Sequence, residues 1–231
     1  MKKTKVSFKR IKFFVSLLLI AAIAYFGYQA YMKLVYEKEI LKQMIVRLQG
    51  DSRIAEVLVT DVLYNPITQS HDTTIKFLEF DSLGQPLVPR YFTFQSNIIQ
   101  FQSLVARFAD KFIVEGNALR GKSVYLFWKV FVLDGANTRE YVITPVNQIP
   151  QGYKVKGAHS TFEEKIWSEF WDYALNSKKA SREGIKNAQI EAPGTKFIPG
   201  ILYTLKIEHD GGIRIDTSEI PPILRGEKVL P

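Results

Sequence analysis

An uncharged run at residues 13–32 constrains this 231-residue chain more than any other feature. The run contains no Asp, Glu, Lys, Arg or His. At about 1.5 Å per residue, a helix of this length reaches ~30 Å, the thickness of the hydrocarbon core of a bilayer. We therefore predict that residues 13–32 form a transmembrane signal anchor. The apolar and aromatic side chains expected to contact lipid are Phe13, Leu17, Leu18, Leu19, Ile20, Ile23, Tyr25, Tyr28 and Tyr31.

A cleaved signal peptide is the alternative interpretation of this run. Residues 1–12 would then be its basic segment, and the Ala-Ile-Ala at residues 22–24 would be a small-x-small cleavage site. The apolar stretch continues beyond residue 24, however, and the tyrosines of its second half are spaced three apart, like an aromatic belt at a membrane interface. The length of the run and its flanks favour an uncleaved anchor.

The basic residues predict the orientation of the anchor. Six of them lie in residues 1–12, which we interpret as a cytoplasmic tail under the positive-inside rule. Four more follow between residues 33 and 47, but the N-terminal cluster is denser, and long following domains cross largely regardless of charge. We expect a single-pass protein of the cell membrane with a cytoplasmic N-terminus and a periplasmic or extracellular main domain.

The residue pattern at positions 33–50 predicts a short helical stalk. Leu34, Leu41 and Leu48 recur every seven positions, and Gly50 is a typical helix stop. Two interpretations stay open because so few heptads are present. The stalk is either a short coiled coil, which would make the protein a parallel homo-oligomer, or a single amphipathic helix lying on its own domain.

The strand, turn and helix patterns of residues 51–220 predict an extracytoplasmic α+β domain with mostly antiparallel strands. The most apolar stretch, residues 124–134, is rich in aromatic and β-branched residues and predicts a buried strand, with a hairpin partner at 139–145. Asp-Gly-Gly at 210–212 predicts a second hairpin. Residues 221–231 are expected to be an extended tail. Further strands are predicted at residues 55–65, 73–81, 91–94 and 98–108.

One long amphipathic helix is predicted at residues 161–183. Ser160 and Glu163 form a capping-box pattern before it, and an apolar stripe follows at helical spacing. The stripe contains Trp167 and Trp171, which would serve as partner contacts if the helix docks another protein. Packing of the stripe on the sheet is the interpretation we favour, because amphipathic helices usually bury this face.

Residues 116–123 match G-x-x-x-x-G-K-[ST] through Gly116, Gly121, Lys122 and Ser123, and so resemble the P-loop of nucleotide triphosphatases. A P-loop requires a helix after the motif, because the N-terminus of that helix binds the phosphates. The residues that follow Ser123 instead have strand character. We therefore interpret the match as a chance one in a hairpin loop.

The net charge and the residue composition exclude some classes of function but do not identify one. The net charge of +8 comes mainly from the N-terminal tail, so nucleic acid is not an expected partner. The chain has no cysteine, and no set of catalytic, metal-binding or cofactor-binding residues stands out. We predict a membrane-anchored protein that presents its domain for protein–protein interaction or envelope assembly, with the bilayer and another envelope protein as partners. The alternatives are a membrane-tethered enzyme or nucleotide binder using residues 116–123, and a domain that binds a small ligand or lipid.

Overall fold

A computed structural model describes residues 8–47, 53–67, 69–81, 83–108, 123–134, 137–155, 161–182, 185–192, 194–208 and 212–220. The chain divides into two compact units, Met1–Lys42 and Gln43–Pro231. The described part of the first unit is helical, and the second contains all the described strands. In this coarse form the predicted α+β class with antiparallel sheets is confirmed.

The first described element is an uninterrupted helix, α1 (Phe8–Arg47), which covers the predicted anchor and most of the predicted stalk. The segment Lys12–Met44 is long and apolar enough to cross a membrane, with a mean hydropathy of 1.8 in its most apolar window. A signal sequence near the N-terminus can have the same length and apolar composition. The side chains of residues 12–36 are exposed.

The strands of the second unit form two antiparallel sheets. Sheet one has the order β10-β9-β1-β2-β3, and sheet two has the order β6-β5-β4-β7 with β8 beside β4. The predicted buried strand is β5, and the predicted hairpins are β5–β6 and β9–β10, so these three predictions are confirmed. The strands are β1 (Arg53–Asn65), β2 (Ser70–Glu79), β3 (Arg90–Phe94), β4 (Ile98–Phe108), β5 (Ser123–Asp134), β6 (Asn137–Val142), β7 (Ile185–Glu191), β8 (Thr195–Lys196), β9 (Ile201–Ile207) and β10 (Ile213–Glu219).

The core lies between the two sheets. From Thr73 to Glu79 of β2 every second residue is buried, because successive side chains of a strand point to opposite faces. Phe77 of β2 stacks on Phe101 of β4, with ring centroids 5.8 Å apart, and meets Phe127 of β5 edge-on at 5.5 Å. These contacts join one sheet to the other through their apolar faces.

The helical region at residues 161–182 differs from the prediction of one long helix. It forms α2 (Thr161–Leu175) and α3 (Ser177–Arg182), separated at Asn176. The side-chain Oδ1 of Asn176 accepts a hydrogen bond from the backbone N–H of Lys179 at 3.0 Å, which is how an N-cap residue begins a helix. The α2 helix contacts β4 and β7, two strands of sheet two.

Two side chains link the sheets at the edge formed by β3 and β6. Arg90 of β3 donates a hydrogen bond to the carbonyl oxygen of Ile143, just after β6. The hydroxyl of Tyr141 in β6 donates to the carbonyl oxygen of Thr93 in β3 at 2.9 Å. These bonds give the edge polar cross-links beside the apolar core.

Candidate interaction surface

Metal-binding chemistry is not assembled in the part of the chain that the structure describes. No group of three or more His, Asp and Glu side chains there is close enough to hold a metal ion. His71 is exposed on β2, with its ring 5.3 Å from that of Tyr64. The other two histidines, His159 and His209, lie outside the described residues.

Of the P-loop-like motif at residues 116–123, the structure describes only the last residue, Ser123. Gly116, Gly121 and Lys122 lie outside the described residues, and Ser123 is the first residue of β5. The twelve residues from Ser123 to Asp134 form this strand. The element after the motif is therefore not the helix whose N-terminal amides would hold a phosphate.

The two tryptophans of α2 are buried, with exposed fractions of 2% for Trp167 and 0% for Trp171. The Trp171 indole N–H donates to the carbonyl oxygen of Gln148 at 2.8 Å. The Trp167 ring lies 5.3 Å from that of Tyr153 and 5.1 Å from that of Phe170. Both indole rings are therefore enclosed by neighbouring residues of the chain.

A shallow cleft of about 320 Å³ lies beside α2. One of its acidic residues, Asp172, pairs with Lys179, and this hydrogen bond raises the pKa of the Lys179 ammonium. Both side chains are exposed, so the pair is a surface salt bridge and not a buried functional dyad. The cleft is lined by Val146, Asn147, Ser168, Glu169, Trp171, Asp172, Leu175 and Asn176.

The most distinctive surface is the far end of the β1–β2 hairpin. The two strands pair as far as Asn65 with Ser70. Strand β9 pairs with β1 only over residues 53–58, and β3 pairs with β2 only over residues 73–77. Among the described residues, β1 and β2 therefore continue past both neighbours as a two-stranded ribbon. The pairs beyond both neighbours are Leu63–Asp72, Tyr64–His71 and Asn65–Ser70. We call residues 63–67 and 69–72 the ribbon, and residues 62–67, which include the preceding Val62, its tip.

Large apolar side chains are exposed at this tip. The exposed fraction is 38% for Val62, 62% for Leu63, 59% for Tyr64 and 91% for Ile67. The value for Ile67 is the highest among the large hydrophobic side chains that the structure describes. Leu63 and Tyr64 are consecutive strand residues and lie on opposite faces of the ribbon, so the exposed apolar side chains are spread over both faces of its end. Clustered exposed apolar groups mark interaction surfaces more often than isolated ones do.

A shift in strand register shapes the ribbon. The pairing of β1 with β2 is irregular between Val59 and Asp61, and such bulges bend a strand and increase its twist. Beyond the shift, Tyr64 lies opposite His71. The strand is predictable from the sequence, but the exposure of its end is not. The available signal was the absence of any charged residue from 62 to 70, next to a strand that otherwise alternates.

Comparison with protein-family models, with curated proteins and with solved structures finds no match for this chain.

Proposed function

We propose that this chain is a single-pass membrane protein that presents an extracytoplasmic α+β domain for protein–protein interaction or envelope assembly. The observation that carries the proposal is the uncharged run at residues 13–32 within the 40-residue helix α1. At about 1.5 Å per residue, α1 is ~60 Å long, twice the thickness of a bilayer core. A helix of that length can span the membrane and continue beyond it as the stalk.

The orientation rests on the basic tail. Six Lys or Arg residues within residues 1–12 favour a cytoplasmic N-terminus, and the main domain would then be periplasmic or extracellular. The bilayer is one partner. The other proposed partner is either a second copy of the chain, bound through the stalk, or another envelope protein. No catalysis, cofactor or nucleic acid is assigned in this proposal.

The domain itself is proposed to be a packed scaffold in which α2 is the amphipathic helix covering sheet two. Its buried residues recur at three- and four-residue spacing, the period expected of one helix face. These residues are Glu163, Trp167, Phe170, Trp171 and Ala174. The carboxylate of Glu163 accepts a hydrogen bond from the backbone N–H of Val155 at 3.1 Å, which gives this buried acid a structural role.

Alkaline carbonate extraction of membranes from expressing cells tests the anchor. The full chain should stay in the membrane pellet. A Leu18→Arg/Ile20→Arg variant should move to the soluble fraction, because each Arg costs about 2.5–3.5 kcal/mol at the centre of a membrane helix. The matched control places the same two charges at exposed positions of the domain, as Leu83→Arg/Leu133→Arg, and should stay in the pellet.

Mass spectrometry of the purified chain separates the anchor from a signal peptide. An intact N-terminus supports the proposal. A mature chain that begins near Tyr25 and is recovered free in solution would refute it, since no anchor would remain.

A further inference from the structure

The ribbon tip has the properties of a surface that contacts lipid. We propose that Leu63, Tyr64 and Ile67 insert into the interface of the bilayer in which the chain is anchored. This inference rests on the membrane anchoring proposed above and assigns a role to a segment remote in sequence from the anchor. Three features of the tip support it: the size of the exposed patch, its lack of charge, and the pairing of its strands.

The size of the patch is too small for a stable protein interface. The three side chains are 62%, 59% and 91% exposed, and together they offer on the order of a few hundred Å². A standard protein interface buries about 800 Å² on each partner. The tip is also the end of a projecting two-stranded ribbon, whereas energetically dominant side chains of protein interfaces lie in well-packed pockets of extended surfaces.

A small apolar tip is nevertheless sufficient for a chain that is already tethered. Anchoring converts the contact into an intramolecular event with an effective concentration that can reach the millimolar range. A few partly inserted side chains can therefore hold the tip at the interface, although they would not recruit a free protein from solution.

The lack of charged residues in the tip indicates which type of lipid surface it would contact. No charged residue occurs from residue 62 to residue 70, and the nearest ones are acidic, Asp61 and Asp72. Basic residues are what attracts proteins to anionic lipid, so the tip is suited to a neutral, zwitterionic interface. Tyr64 has an apolar ring and a polar hydroxyl, the combination enriched where bilayer meets water.

The backbone of the tip is compatible with shallow insertion. Val62, Leu63 and Tyr64 pair across the ribbon with Thr73, Asp72 and His71. Insertion of side chains alone keeps the backbone of the tip at headgroup level, which avoids the cost of placing non-helical backbone in the hydrocarbon core. Asp72 lies directly opposite Leu63, and Asp61 precedes the ribbon on the other strand, so these charges limit insertion to headgroup depth.

The natural absence of cysteine makes the test direct. Full-length chain carrying Ile67→Cys is labelled with an environment-sensitive fluorophore and reconstituted into phosphatidylcholine vesicles, with or without a headgroup nitroxide lipid. The matched control is Val88→Cys, another exposed apolar position (71%) in the connection between β2 and β3. We expect a blue-shifted emission and several-fold stronger nitroxide quenching for the label at 67 than for the label at 88.

A second pair of variants tests the apolar contact itself. Leu63→Asp should remove most of the quenching of the label at 67, whereas Leu83→Asp, whose native side chain is 60% exposed, should leave it unchanged. Equal quenching at 67 and 88 would overturn the inference. A blue shift that increases with the protein-to-lipid ratio and is not accompanied by nitroxide quenching would also overturn the inference, because a second copy of the chain would then cover the tip.

Flotation of the same vesicles reports the anchor separately. Protein that floats without quenching at residue 67 refutes the tip contact and leaves the proposed anchoring intact. Protein that does not float at all refutes both, since neither the helix nor the tip would then hold it on lipid.

Discussion

At the scale of single residues, Arg90 stands out because it brings a positive charge to the edge of an apolar core. Its guanidinium donates to the Ile143 carbonyl, lies 3.7 Å from the Glu79 carboxylate and sits 5.9 Å from the centre of the Phe77 ring. Burial lowers the pKa of Arg90, and the nearby Glu79 carboxylate partly opposes that change. The guanidinium joins sheet one to sheet two through charge-assisted contacts.

We predict that Arg90→Met destabilises the chain by about 2 kcal/mol, measured by denaturant unfolding of the full-length protein in detergent. The substitution leaves the Glu79 carboxylate, whose side chain is 8% exposed, without this cation and removes the bond to the Ile143 carbonyl. Breaking a fully buried pair costs about 3–5 kcal/mol, and the smaller figure reflects the 29% exposure of the Arg90 side chain.

Arg214→Met is the control for the charge itself. Arg214 also forms ion pairs, with Glu208 and Asp216, but its side chain is 55% exposed. Solvent screens such pairs, so the free energy of unfolding should fall by less than about 1 kcal/mol. Equal losses for the two arginines would show that burial adds nothing to the role of Arg90.

At the scale of elements, β5 is the strand that decides how the P-loop-like motif is interpreted. It begins at Ser123 and its central residues are buried, with Val124 and Phe127 at 2% and 0% exposure. A phosphate-binding loop would need a helix at this position, since the aligned amides at a helix N-terminus supply the donors and the dipole. Instead, β5 pairs with β4 from Ser123 onward, and the backbone N–H of Tyr125 donates to the Tyr153 hydroxyl at 3.1 Å.

We predict that Mg-ATP leaves the melting temperature of the full-length chain unchanged, both in the native protein and in Lys122→Ala. A nucleotide site saturated a hundredfold above its Kd would stabilise the fold by about 2.7 kcal/mol, which a thermal-shift measurement detects easily. The nucleotide-binding alternative would be supported by a shift that disappears in Lys122→Ala and persists in Lys186→Ala, a change at an exposed position of β7.

The break between α2 and α3 also belongs to this scale. Composition favours helix across residues 161–182, and the local pattern contains no glycine or proline there. Asn176 nevertheless ends one helix and caps the next through its side-chain oxygen. A capping asparagine and a tolerated interior one look the same in a sequence, so only the structure reveals the break.

At the scale of the whole molecule, the proposed anchor implies a specific orientation of the chain across the membrane. The long helix α1 and the basic tail before it support an anchor with its N-terminus in the cytoplasm. The domain that follows is large compared with the tail. Its own charges are therefore expected to have little influence on the orientation.

We predict that a membrane-impermeant maleimide labels Leu133→Cys in right-side-out membrane vesicles and labels Lys5→Cys only after detergent is added. Leu133 is 61% exposed on β5, and the native chain has no thiol to compete. The reverse pattern would contradict the proposed orientation. Loss of residue 5 from the purified protein would instead indicate signal cleavage.

The candidate surface was only partly predictable from the sequence. The strand at 55–65 is apparent from its β-branched residues, and Asn65 and Pro66 mark its end. The exposure of Leu63 and Ile67 depends on where β9 and β3 stop pairing with β1 and β2. Strand β9 lies almost 130 residues away from the ribbon in sequence, and no local pattern reports its register.

Local sequence was sufficient for features whose causes are local. The unbroken α1 follows from a long run of apolar and helix-favouring residues. The β5–β6 and β9–β10 hairpins follow from strand-favouring β-branched and aromatic residues joined by short turns. Tertiary structure alone decided the order β10-β9-β1-β2-β3, the placement of β7 beside β4, the burial of Arg90 and the projection of the ribbon. Each of these depends on which distant segments meet, and the gain in burial and hydrogen bonding that selects a pairing exists only once both segments are in place.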